Sequence, residues 1–249
     1  MSVAFAQSTP ESAYAWTRLL TSLALMTISG VGMYAVAVAL PVVQAEFGIT
    51  RSDASLPYAA TLIGFGLGGI LMGRISDRFG VMAPILIGAV CLGLGFTAAG
   101  ASGGLWQFAL AQLLIGLLGT SSAFAPLVAD TSMWFTRRRG IAVAICASGN
   151  YLGGAVWPPV LQHYFDAVGW RATFTGVGLF CAATMIPLAF VLRRKPPVLD
   201  LSGEIKSDAR KKIGIPPNTL FALLCVAGVG CCVAMSMPQV HIVAYCGDL

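Results

Sequence analysis

The sequence predicts an all-α integral membrane protein, and two observations lead to that prediction. Hydrophobic residues make up 57% of the 249 residues, whereas charged residues make up only 10%. A soluble domain carries roughly 25% charged residues, so this chain cannot cover a surface that faces water. A helix that crosses the ~30 Å hydrocarbon core needs about 20 mostly apolar residues, and it satisfies its own backbone hydrogen bonds. Membrane lipid is therefore the expected surrounding of the folded chain.

Charged and turn residues separate seven apolar spans along the chain. The spans cover approximately residues 18–43, 54–73, 81–100, 105–134, 140–165, 172–192 and the stretch from 219 onward. Each of the first six has about 20 residues or more, which is the length that a membrane helix needs. The predicted organisation is a tail over 1–17, a six-helix transmembrane domain over 18–192, a linker over 193–218 and a seventh helix within 219–249.

The basic residues lie almost entirely on one side of these spans. Of the 15 lysines and arginines, only Arg51 and Arg171 fall on the other side. Loops rich in lysine and arginine stay in the cytoplasm. We therefore expect a multi-pass protein of the cell (inner) membrane with a cytoplasmic N-terminus. The arginine triplet at residues 137–139 then marks the cytoplasmic start of the fifth span.

The sequence offers little support for an enzyme or a metal protein. Its seven cysteines form no C-x-x-C pair and no histidine-spaced cluster, so we expect no metal site, no cofactor and no catalytic residue. The stretch GASG (residues 100–103) fits the G-x-S-G pattern of rhomboid-type proteases, with Ser102 as nucleophile and His163 as a base on the same side. However, Ser102 falls in a short link, and nothing orients His163 toward it. A nucleic-acid partner is not expected either.

The link between the second and third spans carries a recognisable motif. GRISDRFG (residues 73–80) resembles the G-x-x-x-D-R-x-G signature of the major facilitator superfamily through Gly73, Asp77, Arg78 and Gly80. The family usually continues with two basic residues, whereas this chain continues with residues 81–82, Val-Met. A short motif alone can match by chance, and then these residues would only anchor the helix at the membrane surface.

The resemblance implies a gating role for this motif. In the family, the motif helps to latch the two halves of the transporter, together with an acidic residue near the inner end of helix four. Asp130 occupies that place in this sequence. Since Val81 replaces a basic partner, we expect Arg74 or Arg78 to supply the cation of the latch.

The start of the fifth span narrows the resemblance. WFTRRRGIAVAICASGNYLGG is similar to the helix-five signature of monocarboxylate and oxalate/formate transporters. The residues that fit are Phe135, Arg137, Arg138, Arg139, Ala142, Ser148, Gly149 and Gly153. Arg138 and Arg139 would belong to the gating motif, while the small residues Gly149 and Gly153 would let neighbouring helices approach closely.

Taken together, the motifs imply the six-helix N-terminal half of a major facilitator fold, built from 3+3 inverted repeats, plus the first helix of the second half. The implied activity is secondary active transport of small organic anions by alternating access, coupled to a proton or a counter-anion. The bacterial oxalate–formate antiporter-like branch is the expected relative. By length, the chain is expected to be truncated after the seventh helix. Transport of a sugar or drug, or an inert membrane fragment, are the alternatives.

Polar residues at depth in the spans are the candidates for the substrate cavity. These are Tyr34, Gln112, Asn150 and Tyr151. No lysine or arginine is expected in the middle of a span. The resemblance implies that the cations that bind a substrate carboxylate lie in the second six-helix half of the transporter. Tyr58 and Trp157 lie nearer the outer surface, where we expect interfacial or packing roles.

Overall fold

The structure is a computed structural model that describes residues 12–50, 53, 55–194, 216, 218–228, 230 and 234. Six helices in this part of the chain are long and apolar enough to cross a membrane. They are α1 (Ala13–Phe47), α2 (Leu56–Phe79), α3 (Met82–Gly100), α4 (Leu105–Trp134), α5 (Arg139–Val168) and α6 (Trp170–Val191). A shorter apolar helix, α7, covers Asn218–Gly228. The prediction of an all-α membrane fold with six spans and a further helix is confirmed.

The chain divides into two compact units, Met1–Pro197 and Val198–Leu249. The first unit contains α1 to α6. The second contains α7, whose large side chains are exposed, including Phe221 at 70% and Val226 at 72%.

Helix α1 begins earlier than the predicted span. Ser12 caps it, because the Ser12 hydroxyl accepts a hydrogen bond from the backbone N–H of Ala15 at 3.4 Å. The helix therefore starts at Ala13 and includes Arg18, where the span was expected to begin. It is interrupted once, at Gly30, and ends at Gly48, whose φ of 60° lies in the left-handed region that glycine tolerates.

Helix α4 is not a uniform α-helix. Its middle turns, Ile115–Thr120, are π-helical, with regular α-helix before and after them. This segment packs directly on the backbone of α2. A Cβ atom placed on Gly64 would lie 2.8 Å from the backbone nitrogen of Leu117, within this segment, so glycine is required for this approach.

Helices α1 and α5 are equally close. A Cβ atom on Gly149 would lie 2.7 Å from the carbonyl oxygen of Leu23, and one on Gly153 would lie 3.0 Å from that of Thr27. Trp157 is buried one turn beyond Gly153, and its indole N–H donates to the Thr27 carbonyl at 2.8 Å. These contacts fix the position of the α5 residues that face α1.

Candidate functional site

The first candidate face lies where α5 meets the break in α1. The Tyr34 hydroxyl donates to the backbone carbonyl of Asn150 at 3.3 Å. A Cβ atom on Gly30 would lie 3.6 Å from the Asn150 amide oxygen, and one on Gly154 would lie 2.7 Å from Cζ of Tyr34. The structure therefore brings Tyr34 and Asn150 together, and Gly154 leaves the space that the Tyr34 ring occupies.

Two further tyrosines lie near this face. Tyr58 and Tyr151 are both within electrostatic range of the Tyr34 hydroxyl. Tyr151 is 56% exposed, whereas Tyr58 is partly buried against the core. We call Tyr34, Tyr58, Asn150 and Tyr151 the tyrosine face. Sequence reasoning assigned Tyr58 to the interface or to packing, because its approach to Tyr34 depends on the contact between α1 and α2.

Gln112 has a different setting from the other cavity candidates. It is fully buried between α4 and α2, with its amide oxygen 3.5 Å from the Thr61 hydroxyl. Thr61 already donates its only hydroxyl hydrogen to Pro57, at 2.9 Å. The amide nitrogen of Gln112 has no hydrogen-bond partner among the described residues. Gln112 thus belongs to the α2–α4 contact and has no exposed surface.

The signature motif lies at the end of α2. Gly80 has a φ of 84°, and its N–H closes the helix on the Ser76 carbonyl at 2.8 Å, so this position requires glycine. Asp77 and Arg78 are exposed, and the Arg78 guanidinium lies 5.4 Å from the centre of the Phe79 ring. The ion pairs described below, between Arg18 and Asp130 and between Arg171 and Glu46, do not involve Asp77.

Gly73 and the arginines at the start of α5 also lie at the surface. A Cβ atom on Gly73 would meet no described atom within 4 Å, so Gly73 makes no close helix contact with the described part of this unit. Arg138 and Arg139 are exposed, and Arg139 donates to the hydroxyl of Ser132 at 3.3 Å.

Asp130 forms a buried ion pair, but not with the motif. Both carboxylate oxygens accept hydrogen bonds from Arg18, at 2.7 Å from Nε and 2.8 Å from Nη2. The side chains are only 2% and 4% exposed, and the guanidinium lies 4.8 Å from the centre of the Trp134 ring. This differs from the expectation that Arg74 or Arg78 supplies the cation, because α1 brings its own arginine to the end of α4.

Arg18 also binds the end of α6. Its Nη1 donates to the carbonyl oxygens of Leu192 and Arg194, at 3.1 and 3.0 Å. One turn earlier on α1, the Tyr14 hydroxyl donates to the Val191 carbonyl at 2.5 Å. We call this set, with Asp130 and Trp134, the Arg18 junction. Sequence reasoning counted Arg18 among the loop charges and missed its burial.

A second arginine, Arg171, lies at the start of α6. It joins this helix to the C-terminal ends of α1 and α3, far along α1 and α6 from the Arg18 junction. Arg171 pairs with Glu46 at 2.9 Å and donates to the carbonyls of Gly100 and Ser102 at 2.9 and 2.6 Å. The Trp170 indole also donates to Glu46. We call this set the Arg171 junction. Both charged side chains are about two-fifths exposed, at 38% and 40%.

Ser102, the serine of the G-x-S-G pattern, does not donate to a histidine. Its hydroxyl donates to the Ala99 carbonyl at 2.7 Å.

Comparison with known proteins gives a consistent set of relatives. A family profile described as Major Facilitator Superfamily matches residues 22–247. The chain is 26% identical over 179 residues to MFS-type transporter pynF of Aspergillus niger, covering 72% of this chain and 41% of the relative.

Two further relatives have names that state a substrate class. The probable sulfoacetate transporter SauU of Cupriavidus necator is 26% identical over 180 residues, which is 72% of this chain and 41% of the relative. Human Monocarboxylate transporter 11 is 26% identical over 194 residues, which is 76% of this chain and 41% of the relative. The chain therefore spans about two-fifths of the length of these three relatives.

Proposed function

Since the chain belongs to the Major Facilitator Superfamily, we propose that the whole protein is a secondary active carrier of small organic anions, mono- or dicarboxylates. It would work by alternating access, with a proton or a counter-anion as the coupled ion, as in the bacterial oxalate–formate antiporter-like branch. The observation that carries the substrate class is the helix-five stretch from Trp134 to Gly154. Relatives named for sulfoacetate and monocarboxylates support it.

We assign the tyrosine face to the substrate pathway. It offers hydroxyl and amide groups together with aromatic rings, and none of its four residues carries a cation. This face would therefore contact the uncharged part of the substrate and orient its oxygens. The carboxylate itself would need a cation from the second half of the protein, as the resemblance implies. Gln112, which is fully buried, would act indirectly by shaping the α2–α4 contact.

The gating role of the motif remains our proposal for Gly73, Asp77, Arg78 and Gly80, together with Arg138 and Arg139. Asp77 is exposed at the end of α2, which suits a carboxylate that would contact the second half. The proposed organisation is a cytoplasmic tail over 1–17, the transmembrane domain over 18–192, a cytoplasmic linker over 193–218 and the seventh helix after it. The proposed location is the cell membrane.

Uptake into proteoliposomes that hold the full protein tests the substrate class. Labelled formate, lactate or oxalate should accumulate, and an excess of unlabelled anion should compete. If none of them moves while a sugar or a drug does, the anion assignment is wrong.

The same assay tests the tyrosine face. Gly154→Ala should displace the Tyr34 ring, because the new Cβ would lie 2.7 Å from its Cζ. If the ring must return to its place to contact the substrate, the overpacking cost of about 1–3 kcal/mol falls on the bound state, so KM should rise roughly fivefold or more. Gly140→Ala on the same helix is the matched control, since a Cβ there meets no described atom within 4 Å. Equal KM values for the two variants would remove the face from the substrate pathway.

One observation supports a second candidate function, which is transport of an uncharged planar substrate. The tyrosine face carries three phenol rings and no cation, which also suits stacking against a flat neutral molecule. Competition decides between the two candidates: a neutral aromatic compound that is itself accumulated, and that small carboxylates do not displace, favours this alternative.

A further inference from the structure

The Arg18 junction connects three helices at the place where α6 ends. We propose that Arg18 is a positioning residue that binds the carbonyls immediately after the last turn of α6 and so fixes the point at which the chain leaves the six-helix unit. Asp130 is the counter-ion that keeps Arg18 in this position. The proposal does not depend on what the protein carries, because it concerns contacts within one unit.

All three nitrogens of the Arg18 guanidinium make hydrogen bonds. Nε and Nη2 hold the two oxygens of Asp130, while Nη1 faces the carbonyls of Leu192 and Arg194. The planar fork of arginine can hold a carboxylate and two carbonyls at once, whereas a lysine presents a single ammonium. A cation that is only 2% exposed also needs a counter-ion nearby. One side chain thus requires partners from both α4 and α6.

Two side chains of α1 donate to carbonyls at the place where α6 ends. The last carbonyls of any helix lack partners within the helix, and a cation near them is favoured by the helix dipole. Tyr14 and Arg18 lie one turn apart on α1, and between them they bind the carbonyls of Val191, Leu192 and Arg194. Helix α1 therefore supplies donors to carbonyls at the end of α6 and in the turn that follows it.

The carboxylate of Asp130 is bound by a residue of its own unit. A latch between halves would need its carboxylate to be available to cations outside the unit. Here both oxygens are bound within it, at 2.7 and 2.8 Å, and the side chain is only 4% exposed. This setting favours a role in holding α1, α4 and α6 together.

Hydrogen–deuterium exchange measured by mass spectrometry, on the full chain in lipid nanodiscs, tests the proposal. Arg18→Gln and Asp130→Asn should each speed exchange at residues 185–194 by roughly tenfold or more, because local opening there no longer breaks charged hydrogen bonds. Arg171→Gln is the matched control: it removes the arginine that binds the Gly100 and Ser102 carbonyls, so it should affect residues 97–104 and leave 185–194 unchanged.

A charge exchange separates the carbonyl contacts of Arg18 from the ion pair. The double variant Arg18→Asp with Asp130→Arg keeps opposite charges in contact, but an aspartate at position 18 cannot donate to the α6 carbonyls. Exchange at 185–194 should therefore stay fast. Recovery of the slow exchange would show that the ion pair alone positions α6 and would overturn the proposal.

Unfolding must be distinguished from loss of the carbonyl contacts. Exchange within the first part of α3, residues 82–96, reports the fold of the rest of the unit and should stay slow in every variant. Arg18→Lys keeps a cation beside Asp130 and so preserves the fold, yet it should still accelerate residues 185–194 by several-fold. If Arg18→Lys and Asp130→Asn both leave these residues within twofold of the unmodified chain, Arg18 does not position the end of α6.

Discussion

The contact between α2 and α4 gives the sharpest test of the fold. Gly64 is buried, and a Cβ atom there would lie 2.5 Å from the carbonyl oxygen of Leu113 and 2.8 Å from the backbone nitrogen of Leu117. Because both atoms belong to the backbone, α2 and α4 would have to move apart to accommodate alanine. Gly64→Ala should therefore destabilise the protein.

The magnitude follows from two opposing effects. Overpacking costs about 1–3 kcal/mol, while replacing glycine by alanine in a helix gains roughly 1 kcal/mol of propensity. Direct contact with backbone atoms places this site at the upper end of the cost, so we expect a net loss of about 2 kcal/mol. For a chain of this size, such a loss lowers Tm by roughly 4–8 °C.

Gly66 supplies the control two residues away on the same helix. It is exposed, and a Cβ atom there would meet nothing within 4 Å. Gly66→Ala should leave Tm unchanged or raise it slightly, because alanine gains up to about 1 kcal/mol of helix propensity over glycine. Thermal unfolding of the detergent-solubilised protein, followed by tryptophan fluorescence, measures both variants. If Gly64→Ala and Gly66→Ala unfold at the same temperature, the close approach of α2 and α4 is wrong.

Two further predictions concern the gate and the orientation. Asp77→Asn should reduce the rate of uptake by the full protein while leaving membrane insertion intact; unchanged uptake would remove the gating role from that carboxylate. Accessibility tags introduced at Ser102 and Ser207 should report opposite sides of the membrane, with Ser207 in the cytoplasm, and labelling from one side only would overturn the proposed path of the chain.

The number and order of the membrane helices could be predicted from the sequence, because hydropathy and charge act locally. The exact ends could not be read from hydropathy alone. Helix α1 starts at Ala13 because Ser12 caps it, and a serine before an apolar run is a start signal that was present in the sequence. The π-helical turns at Ile115–Thr120 left no comparable local signal.

The Arg18 junction could not be predicted for a different reason. Arg18 and Asp130 are 112 residues apart in the chain, so their pairing depends on how α1 and α4 pack. Position alone suggested that Arg18 was a solvated loop charge and that Asp130 faced the signature motif. The approach of Tyr58 to Tyr34 likewise depends on packing between helices. By contrast, the requirement for glycine at position 80 agrees with the motif in the sequence.

The separation between Arg18 and its partners also has a consequence for biosynthesis. Ribosomes add about 5–20 residues per second, so Asp130 is made roughly 6–22 s after Arg18. The carbonyl of Leu192 follows later still, 174 residues after Arg18. During this interval the guanidinium has neither its counter-ion nor its acceptors, and water or lipid phosphates must solvate it. We therefore expect the N-terminal helix to settle at its final depth only after the sixth helix has been inserted.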